Sequence, residues 1–157
     1  NNTEHMFEFC FKLQNINLTN FDTSSVEDMN NMFSCCESLR YIDLKKFNTE
    51  NVYDMSYMFH GCSSLPRIDL SSFNTSNVMD MRYMFSCCKK AKTIILSYFN
   101  TENVENMEGM FFCCEAFINI DLRTFIIRRK MAISNFFTNY KKIEMLMIKK
   151  NKFNGMG

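Results

Sequence analysis

Phenylalanine recurs every 26 residues in this chain, at Phe7, Phe33, Phe59, Phe85, Phe111 and Phe137, with no insertion anywhere. Methionine precedes the first five, and cysteine follows three residues behind them at Cys10, Cys36, Cys62, Cys88 and Cys114. Ile16, Ile42, Ile68, Ile94 and Ile120 keep the same period, as do Leu18, Leu44, Leu70, Leu96 and Leu122. A fixed period of this length is the signature of a repeat architecture. One such unit cannot bury its apolar face alone. Stacking solves this by laying each Phe, Cys, Ile and Leu on its copy in the next unit. The sequence therefore predicts a repeat solenoid of about 26 residues per coil.

The cleanest unit runs from Met58 to Met81. In its Leu65-x-x-Ile68-x-Leu70 segment, Ile68 and Leu70 lie on one side of an extended strand and Asp69 on the other. A polar turn follows, Phe73-Asn74-Thr75-Ser76-Asn77, of residue types that bond their own backbone. Val78, Met81, Met84 or Phe85, and Cys88 then fall at spacings of three and four, which predicts a short helical segment. Asp28, Asp54 and Asp80 stand just before it, with Asn106 in the fourth copy, where either residue type caps a helix. A second short extended segment around Asn-Val-x-Asp-Met is the alternative reading of the same spacing. Asn51, Asn77 and Asn103 are placed to line up and satisfy turn backbone groups.

The unit Met-Phe-x-x-Cys-x-Ser-Leu-x-x-Ile-Asp-Leu-x-x-Phe-Asn-Thr-x-Asn-Val-x-Asp-Met resembles the BspA-like leucine-rich repeats, and most of all the 26-residue repeat of mycoplasma-type surface lipoproteins. The resemblance covers roughly residues 4–125. It implies a right-handed leucine-rich-repeat-like solenoid in a cell-surface or secreted protein that acts in adhesion, partner binding or antigenic display. It carries no catalytic residues and no cofactor. Residues 1–148 then form a single solenoid: five regular coils and a divergent last coil over 126–148. There Ile126 and Ile127 replace Asn-Thr, while Phe137, Ile143, Leu146 and Ile148 keep the apolar register. Residues 149–157 read as a basic tail. The first unit opens at Met6-Phe7 without a visible cap, which leaves an apolar edge for further repeats or another molecule.

Composition narrows the function classes. The net charge of +1 gives no global pull toward nucleic acid or membrane, and no stretch has the length of a membrane-spanning helix. The charge is uneven, however. Residues 1–125 carry 10 Lys and Arg against 16 Asp and Glu, a net of −6, and residues 126–157 carry 8 against 1, a net of +7. Such polarity suits head-to-tail association. Arg128, Arg129 and Lys130, followed by Phe136, Phe137 and Tyr140, mix basic and aromatic residues as nucleic-acid binders do. Those aromatics sit at core register, so no nucleic-acid partner is expected.

The chemistry-bearing residue types assemble nothing catalytic. Five cysteines hold a core position, where Cys behaves as a small hydrophobe. Cys35, Cys87 and Cys113 stand one residue earlier, where other units have Phe9 and Gly61. Cys87 and Cys113 fall on adjacent units, near enough for a disulfide, although parallel stacking orients the bonds poorly for one. Adjacent Cys pairs lack the spacing that lets two thiolates share a zinc ion, so no metal is expected. His60 occupies a position held by Ser34, Ser86 and Phe112 in other units, a poor place for a catalytic base. Capping, rather than cation binding, accounts for Asp28, Asp54 and Asp80, because Asn106 caps without adding charge.

The outward side of the predicted sheet is the candidate surface. One row carries Asn15, Tyr41, Arg67, Thr93 and Asn119, and the next carries Asn17, Asp43, Asp69, Ile95 and Asp121. These residues vary from unit to unit while the core does not, as a binding face on a rigid platform permits. The reading is a non-enzymatic extracellular or cell-surface protein. Tyr41, Asp43, Arg67, Asp69, Thr93, Asn119 and Asp121 would contact a protein or surface glycan of a host or neighbouring cell. The alternative is a structural protein that stacks end to end on copies of itself into fibres through Arg128, Arg129 and Lys130.

Overall fold

The computed structural model describes residues 2–116 and 120–136. Asn119, Phe137, Tyr140, Ile143, Leu146, Ile148 and the segment 149–157 lie outside the described residues. The described chain is mostly non-helical, with two short strands, β1 (Arg67–Asp69) and β2 (Thr93–Ile95). They pair in parallel, Arg67 opposite Thr93, Ile68 opposite Ile94 and Asp69 opposite Ile95. A parallel bridge between Asn15 and Tyr41 places the earlier copies of this segment in the same relation. A second column of parallel bridges joins Asn2, Asp28, Asp54, Asp80, Asn106 and Ala132 in turn. Asp80 lies half a period beyond Arg67, so the unit that holds them has two extended sides joined by turns.

No helix is present among the described residues. Where the spacing of three and four predicts a helical segment, the structure has the second extended column followed by a run of tight turns. The donors explain why. Met29, Asn31, Phe33 and Cys35 give their N–H groups to the carbonyls of Asp54, Ser56, Met58 and His60 in the next unit, at 2.6–3.0 Å. The residues between them turn inward, with Met32 N–H bonded to Met29 O, Ser34 to Asn31 and Cys36 to Phe33. An α-helix would consume every one of these donors within the segment. Here half of them are spent across units. Asn31 and Cys35 have φ of 54° and 59°, the third-position geometry of type II turns. Their copies Tyr57, Gly61, Tyr83, Cys87, Gly109, Cys113 and Asn135 share it. Gly109 is the position that most needs its residue type. Besides its positive φ, a Cβ there would sit 2.3 Å from the Tyr83 ring.

Asp28, Asp54, Asp80 and Asn106 open these turns rather than a helix. Each side-chain Oδ1 accepts from the N–H two residues on, at 2.7–2.9 Å, an Asx turn. Burial pushes the Asp28 carboxyl above its ordinary range against the opposing hydrogen bond from Asn30, with Asp54 and Glu4 adding repulsion. A raised folded-state value means that ionised Asp28 costs stability above that value. The cost is relieved as pH falls through it. Asp28→Asn keeps the turn, as Asn106 does, and should raise the urea midpoint at pH 7. The gain should shrink toward pH 4, which parallel denaturation series will measure.

The core is one continuous cluster running through the units. Phe7, Phe33, Phe59, Phe85 and Phe111 form a file of stacked rings with centroids 5.4–5.9 Å apart and interplanar angles of 3–12°. A second file joins Phe21 to Phe47, Phe47 to Phe73 and Phe99 to Phe125 at 6.0–6.2 Å. Offset stacks of this kind add to the burial of large apolar surface. The buried polar residues are also periodic. Thr23, Thr49, Thr75 and Thr101 are fully buried. Each hydroxyl donates to a backbone carbonyl one unit on and accepts the N–H of the same residue: Asn48, Asn74, Asn100 and Ile126, at 2.7–3.1 Å.

The asparagine row is present outside this core. Asn51, Asn77 and Asn103 donate to the carbonyls of Ser24, Glu50 and Ser76 in the preceding unit, at 2.9, 2.6 and 2.7 Å. Asn77→Ala should cost about 1 kcal/mol in a denaturation series, the net value of one such bond.

The last described unit departs by one residue. In the inner units the valine N–H closes on a threonine, as Val104 does on Thr101 O. Here Met131 closes on Arg128 O instead. Met131 takes the buried place and Lys130 is exposed, and the bridge from Asn106 to Ala132 restores the register.

Candidate functional site

The strand column presents the candidate surface. Ile42, Ile68 and Ile94 point inward and are buried. Alternation then sends the residues on either side of each isoleucine outward. Tyr41, Arg67 and Thr93 form one exposed row, with Asn15 before them. Tyr41 is 61% exposed, exceeded among the described large hydrophobics by Tyr98 at 71%. It stands between two shallow depressions: Asn17, Tyr41, Asp43 and Lys46 line one, and Arg40, Tyr41, Asp43, Lys45, Arg67 and Asp69 line the other.

The second row has a different job from the first. Asp43, Asp69 and Asp121 each accept the N–H two residues on, from Lys45, Ser71 and Arg123, at 3.0–3.1 Å. Asn17 does the same for Thr19. These side chains close the turn that ends the strand. Asp69 also pairs with Arg67 at 3.2 Å, and Asp121 with Arg123 at 2.6 Å. Hydrogen bonds from Ser71 hold the Asp69 carboxyl below its ordinary range, and those from Arg123 do the same for Asp121. Both therefore stay charged, but much of their hydrogen-bonding capacity is already spent. Ile95 breaks this row with an apolar side chain.

Sequence reasoning placed the first row on this face and missed its cationic flank. Arg40, Lys45 and Lys92 are exposed beside the strand column and make no ion pair among the described residues. Lys46 reaches the Thr19 carbonyl at 3.4 Å. Their signal was readable as exposed positions bordering each Ile-x-Leu, but they lie outside the strict alternation that defined the face.

Arg128, Arg129 and Lys130 do not join this surface. They are exposed on the turn that enters the second bridge column, beside a depression shared with Val104, Glu105 and Met131. Arg128 Nη2 donates back to Val104 O at 3.2 Å.

The cysteines divide into two kinds. Cys36, Cys62, Cys88 and Cys114 are buried, and each thiol donates to the carbonyl of the file phenylalanine one unit earlier, at 2.9–3.2 Å. Burial pushes the thiols of Cys36 and Cys114 up to about 12, and those of Cys62 and Cys88 well above the ordinary range. They are core residues held protonated. Cys10, Cys35, Cys87 and Cys113 are half-buried. His60 is edge-on to Tyr57, its Nδ1 is buried without a hydrogen-bond partner among the described residues, and burial lowers its pKa. Among the described residues no three His, Cys, Asp or Glu side chains converge as a metal site would require, and no helix is long and apolar enough to cross a membrane.

Comparison with known families adds one finding. The profile of the family described as Mycoplasma protein of unknown function, DUF285, matches residues 1–95 and again 43–151. No curated protein and no solved structure matches the chain.

Proposed function

The chain belongs to the Mycoplasma family DUF285, and from the surface its units present we propose that it is a non-enzymatic adhesion or binding protein of the cell exterior. In this reading the units wind as a right-handed, BspA-like leucine-rich-repeat solenoid. The two columns of parallel bridges, the inter-unit bonds of the Phe amides and the ring files support it. The partner is a protein or surface glycan of a host or neighbouring cell. The observation that carries the proposal is Tyr41: a large ring, mostly in solvent, between two depressions rimmed by Arg40, Lys45, Lys46 and Arg67. Exposed aromatic and arginine side chains at the centre of a patch are the residue types that dominate binding energies.

The test is adhesion of the labelled chain to cultured host cells. Tyr41→Asp combined with Arg67→Glu should reduce bound protein at least tenfold, with the thermal midpoint unchanged, because both side chains are exposed. Undiminished binding by this folded variant would remove the sheet face from the mechanism.

A second reading, end-to-end assembly into fibres, draws support from the uneven charge, a net of −6 over residues 1–125 against +7 over residues 126–157. On this reading Arg128, Arg129 and Lys130 meet the acidic side of a second copy. Reversing all three to Glu would then abolish any salt-sensitive growth in mass seen by light scattering.

A further inference from the structure

We propose that Cys87 and Cys113 form an oxidisable dithiol site, which a small-molecule disulfide converts into a covalent clasp between neighbouring units. The outer cysteine column reads Phe9, Cys35, Gly61, Cys87, Cys113 at the repeat period, so only the last two positions place cysteines on consecutive units. Cys35 faces Gly61 instead, where an added Cβ would lie 3.3 Å from its sulfur. The Cys87 N–H donates to Phe112 O at 2.7 Å, which fixes the two outer cysteines side by side. Their φ values of 60° and 55° match, so both side chains leave on the same side of the stack, near parallel rather than convergent, and the bridge closes by rotation of the side chains toward each other. The two thiols are within hydrogen-bonding reach of each other. Parallel backbones about 4.8 Å apart fall inside the Cα separation that disulfides span. The pair is half-buried, open to a small reagent, whereas the inner thiols are sealed against carbonyls.

With glutathione disulfide as oxidant the atoms balance. The Cys113 thiolate attacks one sulfur of the reagent, whose S–S bond breaks, and one glutathione leaves. Cys87, whose thiol burial pushes up, acts second. It loses its proton to solvent and attacks the Cys113 sulfur, expelling the second glutathione. Two protein thiols are oxidised and one reagent disulfide is reduced to two thiols. The new bond closes a loop across one unit boundary, which raises stability by constraining the unfolded chain. The inference does not depend on the sheet-face reading.

The experiment treats the purified chain with glutathione disulfide, then combines non-reducing proteolysis, mass spectrometry and urea denaturation. The expected result is one linkage, Cys87 to Cys113, in the wild type and in Cys35→Ser, none in Cys87→Ser or Cys113→Ser, and a higher urea midpoint for the oxidised wild type. Glutathione adducts without the linkage, a linkage between any other cysteines, or an unchanged midpoint would overturn the proposal.

Discussion

Phe59→Ala should lower the free energy of unfolding by about 3–5 kcal/mol, the range for truncating a fully buried phenylalanine. Phe59 is fully buried. Its ring stacks on Phe33 at 5.7 Å and on Phe85 at 5.9 Å, so alanine removes contacts at two unit boundaries at once. The cavity cannot close easily, because the backbone on either side is tied in register by the bonds from Phe33 N–H to Met58 O and from Phe59 N–H to Met84 O. In a repeat array stability is a sum of unit and neighbour-interface terms. Weakening both interfaces of one central unit should therefore also split the unfolding transition, with the units after Phe59 melting apart from those before it. Urea denaturation followed by tyrosine fluorescence and by circular dichroism will test this. The two probes should coincide for the wild type and separate for the variant.

Thr75→Val should cost about 2–6 kcal/mol in the same assay. The substitution keeps the shape and removes only the hydroxyl. That hydroxyl donates to Asn100 O at 2.9 Å and accepts from Asn100 N–H at 2.8 Å. Valine would leave both backbone groups without their partner in the stack, at about 1–3 kcal/mol each. Thr75→Ser retains the hydroxyl and loses one methyl group, and should cost about 1 kcal/mol. The contrast separates the hydrogen bonds from the packing. A valine variant no weaker than the serine variant would show that the threonine column contributes only volume.

These two positions also show what the sequence made legible. The phenylalanine files follow directly from the 26-residue period, because identical large residues at one spacing can all be buried only by resting on their own copies. The same logic located the inward Ile42, Ile68 and Ile94, the asparagine row and the inert core cysteines. The threonine column has the same period, yet it read as part of a polar turn. Nothing local marks Thr75 as buried, since its partners lie in the next unit. The helical segment failed for a related reason. Spacings of three and four put Met29, Met32, Phe33 and Cys36 on one side of either a helix or a run of tight turns. The distinguishing signal was the residue tolerance at every fourth position: Asn31, Gly61, Gly109 and Asn135 accept a left-handed conformation readily. Tyr57, Tyr83 and the outer cysteines in equivalent places hid it. On the surface, alternation placed Tyr41, Arg67 and Thr93 correctly in the exposed row. It could not show that Asp43 and Asp69 close their own turns, because an Asx turn and a binding carboxylate look alike in sequence.

The parallel stacking of consecutive units underlies the core, the exposed face and the cysteine pair alike. Scalar couplings transmitted through hydrogen bonds, recorded by NMR on a deuterated sample, report it most directly. The amide nitrogens of Phe7, Phe33, Phe59 and Phe85 should couple to the carbonyl carbons of Met32, Met58, Met84 and Met110, each 25 residues further along the chain. Couplings confined to carbonyls four residues earlier, or to any other register, would contradict the stacked-unit account and everything built on it.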